Sequence, residues 1–260
     1  MTSVTAPSRY LEELSSRQVK LAVQSGFDTV VIMLGAQEQH GPHLPLSTDT
    51  LWGRHIGGRV AQALGNALVA PTLAIGVSPE HTAFPGTMSI RQETFTATLV
   101  DYVVSLERSG FQWIACLPSH GGNVEPLKVA YPSLEAALST ARLLAFTDLY
   151  GLIAVGAEVA QRFGLSSVIA GAHAGEWETS MVLALRPDLV AGDQLEVGYL
   201  GELEPVFDRI MSEGMESVTP NGILGDARPA KAEHGHIYLA AISDFYATWI
   251  RHRRDGERGA

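Results

Sequence analysis

Short apolar runs alternate along this chain with longer segments in which apolar residues recur at helical spacing. The apolar runs predict four β-strands, at Thr29–Leu34, Ala67–Ala70, Trp113–Leu117 and Arg142–Phe146. Since helical segments separate the strands, the pattern indicates an α/β fold with a mostly parallel sheet that helices cover on both faces.

Helical periodicity predicts helices in the connecting segments, beginning near Asp49, after an N-cap at Ser89 and near Val124, and covering Ala230–Arg251. In the third of these, Pro126 is tolerable in the first turn, whereas Pro132 should break or kink the helix. The segment Ala191–Ala230 is turn-rich and predicts no definite element. Because no repeat or long linker divides the chain, we interpret residues 1–260 as one domain.

Composition and charge narrow the class of protein. Apolar residues make up 46% of the 260 residues, which predicts a sizeable core, and a net charge of −10 argues against nucleic acid as a partner. The N-terminus has no apolar targeting segment and no apolar run is long enough to span a bilayer, so we expect a cytoplasmic protein without a membrane partner. The single cysteine, Cys116, cannot form an internal disulfide and is interpreted as a core residue.

Three segments carry side chains that commonly bind metal ions. They hold, in chain order, Glu38, His40 and Asp49 after the first strand, His120 after the third strand, and His173, Glu176 and Glu178 before an apolar helix. Ligands of parallel α/β sheets bind beyond the carboxyl ends of the strands, where the first two segments lie. Three such segments in one chain predict a metal site of imidazole and carboxylate ligands.

Each segment also has a structural interpretation, which the residues alone leave open. Asp49, or Ser47 beside it, could simply cap a helix, and Asn123 could cap the next one. Glu178 suits the acidic first turn of a helix. His173 could be a hydrogen-bonded loop residue.

Four motifs, taken together, resemble those of the creatininase (creatinine amidohydrolase) family. The family carries E-x-H-G-x-H-L-P-x-x-x-D, G-x-S-x-E-H-x-x-F-P-G-T, N-G-H-G-G-N and H-A-G-x-x-E-T-S. The matching segments here are Glu38–Asp49, Gly76–Thr87, Pro118–Asn123 and His173–Ser180, and the late segment Asn221–Asp226 also fits. They occur in the family's order over nearly the whole chain.

The resemblance implies a three-layer α/β/α fold, a ring-like hexamer and an active site with two divalent metal ions. The ligands carried over from the family are Glu38, His40, Asp49 and His120, with Asp49 bridging the ions. Zinc, manganese and iron all suit these ligands. Two ions would lower the pKa of a bridging water toward about 7 and polarise a substrate carbonyl. His173 is the best candidate to protonate the leaving nitrogen.

One motif departs from creatininase itself, which has H-Y-E-N where this chain has His120–Asn123. The glutamate of that motif, a further ligand, is therefore missing, and creatinine is a weaker candidate for the substrate. Glu178 matches the more general family position and is the preferred replacement. Glu176 is the alternative, either as the ligand or in proton transfer.

Other polar residues of the motifs are assigned by position. We assign Glu80, His81 and Trp177 to substrate binding, with a structural loop or a simple pocket cover as the alternative. His43 is either a hydrogen-bond partner of a ligand or a turn residue. His234 lies outside the family's ligand set and is not predicted to bind metal.

These features predict a metal-dependent hydrolase that cleaves a carbon–nitrogen bond of a small cyclic amide or formamide. A peptide-trimming enzyme of the mycofactocin-maturation type is an alternative within the family. Members of that branch tend toward H-A-G-H, whereas this chain has H-A-G-E at His173–Glu176. A hydrolase of a cyclic keto-sugar is another alternative. A catalytically silent metal-binding assembly protein is disfavoured, because none of the four carried-over ligands is missing.

Overall fold

Four parallel strands form the centre of the protein. The computed structural model describes residues 8–258, and its strands are β1 (Thr29–Leu34), β2 (Ala67–Val69), β3 (Trp113–Pro118) and β4 (Arg142–Ala145). They pair in the order β2-β1-β3-β4, and all three pairings are parallel. The central strands β1 and β3 are buried at every residue and end at the same edge of the sheet.

Nine α-helices lie around this sheet within the described residues. In chain order they are α1 (Ser16–Gln24), α2 (Thr48–Leu64), α3 (Gln92–Arg108), α4 (Val124–Ala137), α5 (Leu149–Arg162), α6 (Ser167–Ala170), α7 (Glu176–Leu185), α8 (Phe207–Glu213) and α9 (Ala232–Arg258). Helices α2, α5, α7 and α9 pack on one face of the sheet, and α1, α3 and α4 pack on the other. The fold is therefore α/β with three layers, as the sequence predicts.

Alternate residues of each strand supply two separate hydrophobic cores, because successive side chains of a strand point to opposite faces. Val31 and Met33 of β1 face the layer that contains α2 and α9. Val30 and Ile32 face the other layer, where they pack with Phe95 of α3. Burying an aliphatic or aromatic side chain of this kind stabilises the fold by about 1.5–3 kcal/mol.

The C-terminal helix α9 is hydrogen-bonded to the end of one central strand and to the start of the other. The hydroxyl of Tyr246 donates a 2.6 Å hydrogen bond to the carbonyl oxygen of Pro118, at the end of β3. Eight residues further along α9, Arg254 donates to the hydroxyl of Thr29 at 2.6 Å and to the carboxylate of Asp28 at 2.8 Å, where β1 begins. This part of α9 therefore runs alongside the strands, from their carboxyl ends to their amino ends.

The start of α3 differs from the prediction. The helix begins at Gln92 with Arg91 as its N-cap, so the predicted cap at Ser89 is wrong. The hydroxyl of Ser89 instead accepts a hydrogen bond at 2.9 Å from the backbone N–H of Ser78. The hydroxyl of Ser89 therefore joins two loops and does not cap the helix.

Helix α4 continues through Pro132, and the predicted break at this residue is wrong. Pro132 is exposed, whereas Leu127, Ala130 and Leu134 on either side of it are buried in one core. A proline removes one backbone hydrogen bond from a helix. On an exposed face water can satisfy the freed carbonyl, and the buried face holds the helix together.

The turn-rich segment between residues 191 and 230 contains α8 and several short 3-10 turns. Leu224 forms an isolated bridge with His173, and Ile210 and Met215 join Leu224 in a small apolar cluster. This segment therefore lies beside the loop that precedes α7.

The structure bears on two expectations from the sequence, the burial of Cys116 and the lack of a membrane span. Cys116 is fully buried in β3, and burial raises the pKa of its thiol to about 12, as expected of a core residue. Among the helices of residues 8–258, none is long and apolar enough to cross a membrane.

Candidate metal centre

The loop after β1 carries two of the predicted ligands into the interior. Glu38 and His40 are both fully buried. Nδ1 of His40 donates to the carbonyl oxygen of Glu38 at 3.2 Å, so Nε2 of the ring is left for other contacts. Asp49 follows at the second position of α2, whose N-cap is Ser47 without a side-chain hydrogen bond. Asp49 is thus a buried carboxylate of the first turn and not the helix cap.

Asp49 lies between two sets of donor atoms. Its Oδ1 is 3.2 Å from Nε2 of His40, and its Oδ2 is 3.5 Å from Nδ1 of His120. Nε2 of His40 is in turn 3.7 Å from Oε2 of Glu178. Nδ1 of His120 is 3.1 Å from Oε1 of Glu38. The two oxygens of this one carboxylate therefore face two different histidines, each of which lies beside a further carboxylate.

Hydrogen bonds set the ring of His120. Its Nε2 lies 3.1 Å from the carbonyl oxygen of Val77 and 3.1 Å from the hydroxyl of Ser78. Because a carbonyl oxygen only accepts, Nε2 carries the hydrogen of the neutral ring. Nδ1 then presents a lone pair toward Glu38 and Asp49, which is the tautomer that a metal ligand requires.

A strained turn brings Glu178 to the cluster. Ala174 has φ of +53°, and within residues 8–258 no other non-glycine residue has a positive φ. Such a conformation costs about 1–3 kcal/mol and persists only where the surroundings fix it. Here the backbone N–H of Ala174 donates to Oε2 of Glu178 at 2.7 Å. The strain is thus stored in the turn that positions this carboxylate.

His173 also reaches the cluster. Its Nε2 donates to the carbonyl oxygen of Gln39 at 2.8 Å, and its Nδ1 is 3.7 Å from Oε1 of Glu38. Donor atoms of His40, His173 and Glu178 lie within 4.8 Å of one another. Burial, reinforced by the nearby His40, holds the pKa of His173 well below its usual range. The ring is therefore neutral, with a bare Nδ1 on the side of the cluster.

The electrostatics of the cluster favour positive charge. Burial acts to lower the pKa of His40, but the carboxylates of Asp49 and Glu178 outweigh it and raise that pKa to about 10. For His120, burial is likewise outweighed by the carboxylate of Glu38, and its pKa is also raised to about 10. Carboxylates that stabilise added protons this strongly also stabilise a bound cation.

The unpaired atoms of the cluster fit a divalent metal centre. Both oxygens of Glu38, Nε2 of His40 and Oδ2 of Asp49 are buried without a hydrogen-bond partner among the described residues. An unsatisfied buried polar atom costs about 1–3 kcal/mol, and more when it is charged. Imidazole nitrogen and carboxylate oxygen are ligand types that zinc, manganese and iron accept. The structure thus brings together the five predicted metal ligands, Glu38, His40, Asp49, His120 and Glu178.

Gly122 leaves space for Glu80. A Cβ atom at Gly122 would lie 2.7 Å from Oε1 of Glu80 and closer still to Nε2 of His120. The carboxylate of Glu80 therefore lies where a side chain at position 122 would begin. Burial raises the pKa of Glu80 to about 7. His81 is buried beside it, with Nε2 3.5 Å from Oε1 of Glu38.

Glu176 points away from the other predicted ligands. Its Oε1 accepts from the hydroxyl of Ser180 at 2.8 Å and from Nδ1 of His234 at 2.7 Å. Its Oε2 accepts from the hydroxyl of Tyr238 at 2.6 Å. Both oxygens are engaged, so the geometry does not favour Glu176 as a ligand or in proton transfer. His234, which was not predicted to bind metal, is one of its partners.

A largely apolar cleft with a cavity volume of about 100 Å³ opens beside the cluster. Glu38, Asp49, Glu80 and His120 line its polar part, and Trp177 lines its wall. The rest of the wall is largely apolar, formed by residues such as Leu152, Ile153, Leu203, Phe207 and Met215. An apolar wall around a few polar groups is the composition typical of a site for a small organic ligand.

Sequence reasoning missed Gln39, whose buried side chain lies between two histidines. Its Nε2 is 2.8 Å from Nδ1 of His81 and 3.1 Å from Nε2 of His173. The motif E-x-H leaves this position variable, so no signal singles it out. His43 lies 2.8 Å from the hydroxyl of Thr179 through its Nε2 and makes no hydrogen bond to a predicted ligand.

Known proteins are similar to this chain in sequence and in fold. The family model described as Creatininase: Creatinine amidohydrolase matches residues 12–250. The mycofactocin precursor peptide peptidase of Mycobacterium ulcerans is 35% identical over 231 residues, covering 85% of this chain and 83% of that protein. The creatinine amidohydrolase of Pseudomonas putida is 30% identical over 256 residues, covering 94% and 96%.

Solved structures agree with these relatives. The crystal structure of a creatinine amidohydrolase (creatininase) has a TM-score of 0.77 at 28% identity, covering 95% of this chain and 98% of that one. Other similar creatininase structures include a manganese form and a variant of Zn-Zn type. With a family model that matches most of its length and curated relatives at 30% identity or above, this chain belongs to the creatininase family.

Proposed function

We propose that the protein is a binuclear metal-dependent amidohydrolase that cleaves the carbon–nitrogen bond of an amide. As a creatininase-family member it is a hydrolase of carbon–nitrogen bonds. The observation that carries the binuclear assignment is the position of Asp49, whose two oxygens face two different histidines, His40 and His120. A shared carboxylate in that position suits two ions.

Two groups of residues would hold the ions. Oδ2 of Asp49 belongs with Glu38 and His120, and Oδ1 belongs with His40 and Glu178. Divalent zinc, manganese or iron bound there would supply an activated water and polarise the amide carbonyl. The manganese form and the Zn-Zn type among similar creatininase structures support the first two metals.

His173 is the residue that we assign to proton transfer. The carbonyl of Gln39 holds its Nε2–H, so Nδ1 is free to accept a proton. A neutral imidazole in this position can take a proton from the attacking water at Nδ1 and give it to the leaving nitrogen. It acts first as a base and then as an acid. The lowered pKa of His173 means that the ring enters the reaction neutral.

The substrate that we propose is a small cyclic amide or formamide with an apolar body. The cleft has a polar base and an apolar wall that includes Leu152 and Ile153, and no lysine or arginine of the described residues lines it. An uncharged amide fits such a site better than an anion does. Since Gly122 stands where creatininase has a glutamate ligand, we expect creatinine itself to be a poor substrate.

A peptide is the second candidate substrate, and two observations favour it. The relative at 35% identity is a peptidase of the mycofactocin precursor peptide. In addition, a second hollow lies next to the cleft, shares Gly121, Leu149 and Phe207 with it, and is lined further by Val124 and Tyr150. An extended chain with apolar side chains would fill both hollows, whereas one small ring would fill only the first.

We further propose a homo-oligomer, hexameric as the resemblance implies, that works in the cytoplasm on a small molecule. Exposed apolar side chains, among them Val129, Leu200 and Ile237, offer surface for subunit contacts. Light scattering of the purified protein measures the oligomer mass directly. A monomer in solution would contradict the proposed oligomer, whereas the proposed amide hydrolysis would be unaffected.

The test of the function is hydrolysis by protein loaded separately with Zn²⁺, Mn²⁺ or Fe²⁺. The probes are creatinine, N-formylleucine, a five-membered cyclic amide and a leucine-containing tripeptide, and the product amine is measured with chelator-treated protein as the control. We expect the cyclic amide or the formamide to be hydrolysed and creatinine to be hydrolysed poorly. Hydrolysis of the tripeptide alone would select the second candidate. No hydrolysis by protein that retains its ions would defeat the proposal in favour of a silent metal-binding protein.

A further inference from the structure

The side chain of Gln39 has one orientation that its neighbours allow. Its Oε1 accepts a hydrogen bond from the backbone N–H of Gly41 at 2.9 Å. Its Nε2 donates to the carbonyl oxygen of Gly222 at 3.1 Å and lies 2.8 Å from Nδ1 of His81. Since turning the amide round would lose the bonds to both backbone groups, Nε2 stays beside His81. Nε2 of His173, 3.1 Å away, carries its own hydrogen toward the carbonyl of Gln39 and cannot accept, so the second hydrogen of the amide goes to His81.

This bond decides where His81 carries its own hydrogen. Because Nδ1 accepts from Gln39, the hydrogen of the neutral ring is at Nε2. Nε2 lies 3.5 Å from Oε1 of Glu38 and 3.8 Å from Oε1 of Glu80, distances longer than an ordinary hydrogen bond. His81 lines the cleft. Its N–H is therefore uncommitted and lies beside the polar base of the cleft.

The backbone carbonyl of Gln39 fixes the hydrogen position of His173, and it leaves that ring with a bare nitrogen in the site where His81 has an N–H. The carbonyl oxygen of Gln39 takes the Nε2–H of His173, which leaves Nδ1 bare beside Glu38. The rings of His81 and His173 have their centres 4.6 Å apart. Gln39 thus makes one ring a hydrogen-bond donor and the other an acceptor at neighbouring points of the site.

We propose that His81 is a further catalytic residue, whose Nε2–H donates a hydrogen bond to the substrate's amide oxygen as negative charge develops there, and that Gln39 is its positioning residue. This inference rests on the proposed amide hydrolysis. His81 keeps its proton throughout, and no covalent bond to it forms or breaks. A fixed donor at the point where charge develops stabilises the transition state more than the ground state. Because Nε2 carries a hydrogen, His81 is not counted among the metal ligands.

The hydrogen position can be measured without a substrate. In zinc-loaded protein labelled with ¹⁵N in histidine, we expect nitrogen shifts that show His81 protonated at Nε2 and bare at Nδ1, with its signals assigned by their loss in His81→Gln. In Gln39→Met this preference should disappear, since methionine cannot donate. Protonation of His81 at Nδ1 in the wild type, or a signal of zinc bound to its Nε2, would overturn the inference.

Kinetics then separate a catalytic donor from a packing residue. For the amide that the wild type hydrolyses, we expect kcat to fall about 10²–10³-fold in His81→Leu, as when an oxyanion donor is removed. The decrease should be much smaller in His81→Gln, whose amide can still donate, and KM and zinc content should be unchanged in both variants. His236→Leu, on the exposed side of α9, is the control and should match the wild type.

Two outcomes contradict a donor role for His81. Equal losses of kcat in His81→Leu and His81→Gln would make the ring a packing group, and loss of zinc in both would make it a ligand. If the wild type hydrolyses none of the probes, the proposed function fails, while the nitrogen shifts of His81 still decide the arrangement inferred here.

Discussion

The hydroxyl of Tyr238 donates a 2.6 Å hydrogen bond to Oε2 of Glu176, which joins the C-terminal helix α9 to the first turn of α7. Both residues are fully buried. Glu178, a predicted ligand, lies in the same helical turn. Helix α9 therefore holds in place the turn that presents this carboxylate to the candidate metal centre.

Replacing Glu176 by glutamine should destabilise the protein without removing metal. The amide NH₂ would face donors of His234 or Tyr238, and one buried hydrogen bond would be lost. We expect unfolding in urea to show a loss of about 1–3 kcal/mol, with the metal content of the wild type. Glu158→Gln, at an exposed partner of Arg162, is the control and should change stability little. Metal loss with full stability would instead make Glu176 a ligand.

Glu178→Gln should have the opposite outcome. A neutral amide oxygen is a weaker metal donor than a carboxylate, so the group with His40 should lose affinity while the group with Glu38 and His120 keeps it. After dialysis against a weak chelator, we expect elemental analysis to show close to two ions per chain in the wild type and close to one in the variant. Retention of both ions would exclude Glu178 as a ligand.

Asp49→Ala should remove both ions, because one carboxylate serves both groups. Elemental analysis of the variant after reconstitution measures this directly. Asp188→Ala, which removes an exposed partner of Arg186, is the matched control and should bind as the wild type does. One ion retained at full occupancy in Asp49→Ala would disprove the bridging role.

Gly122→Ala should damage the centre, whereas Gly121→Ala should not. A Cβ at position 122 would collide with His120 and Glu80, while a Cβ at position 121 would meet only Leu149, at 3.3 Å. Neither glycine has a positive φ, so backbone strain is the same in both variants. Displacing a site residue by about 1 Å can cost about 10²-fold in rate. We expect a loss of rate and weaker metal binding for Gly122→Ala alone, measured by turnover and by elemental analysis. Equal effects in the two variants would show that the space at position 122 is not needed.

His173→Ala should keep both ions and lose about 10²–10⁴-fold in turnover, the usual contribution of a positioned acid or base. The loss should shrink for substrates with a good leaving group, since these need less protonation. A series of amides of increasing leaving-group acidity, assayed beside metal analysis, measures both effects. Loss of metal would make His173 a ligand, and a loss of rate that is uniform across the series would remove it from proton transfer.

The sheet could be predicted because each strand is an unbroken apolar run. All four predicted strands occur, with ends displaced by at most one residue. The cap predicted at Ser89 and the break predicted at Pro132 do not occur, because capping and breaking rules are local. Whether Ser89 caps a helix depends on Ser78 of another loop, and whether Pro132 disrupts one depends on which side of the helix meets water.

The site residues that lie close together in a sequence motif could be predicted. Hydrogen-bond partners that lie far apart in the sequence could not. The pairing of Glu176 with Tyr238 spans 62 residues, and that of Gln39 with His81 spans 42. No motif encodes such a contact. Likewise Glu176 and Glu178 start one helix, where residues two apart point about 200° from each other. Only the packing of that helix shows which of them faces the other donors.

The strained turn at Ala174 has a consequence for the order of events as the protein is made. His173, beside it, contacts the carbonyl of Gln39 across 134 residues of chain. A nascent polypeptide that ends before this turn has the Glu38 and His40 pair but lacks Glu178, so it offers an incomplete coordination shell. If the proposed centre binds metal, its ions would therefore reach their final positions only after translation has passed this turn, when the geometry of the folded protein can select among the metals that the cell supplies.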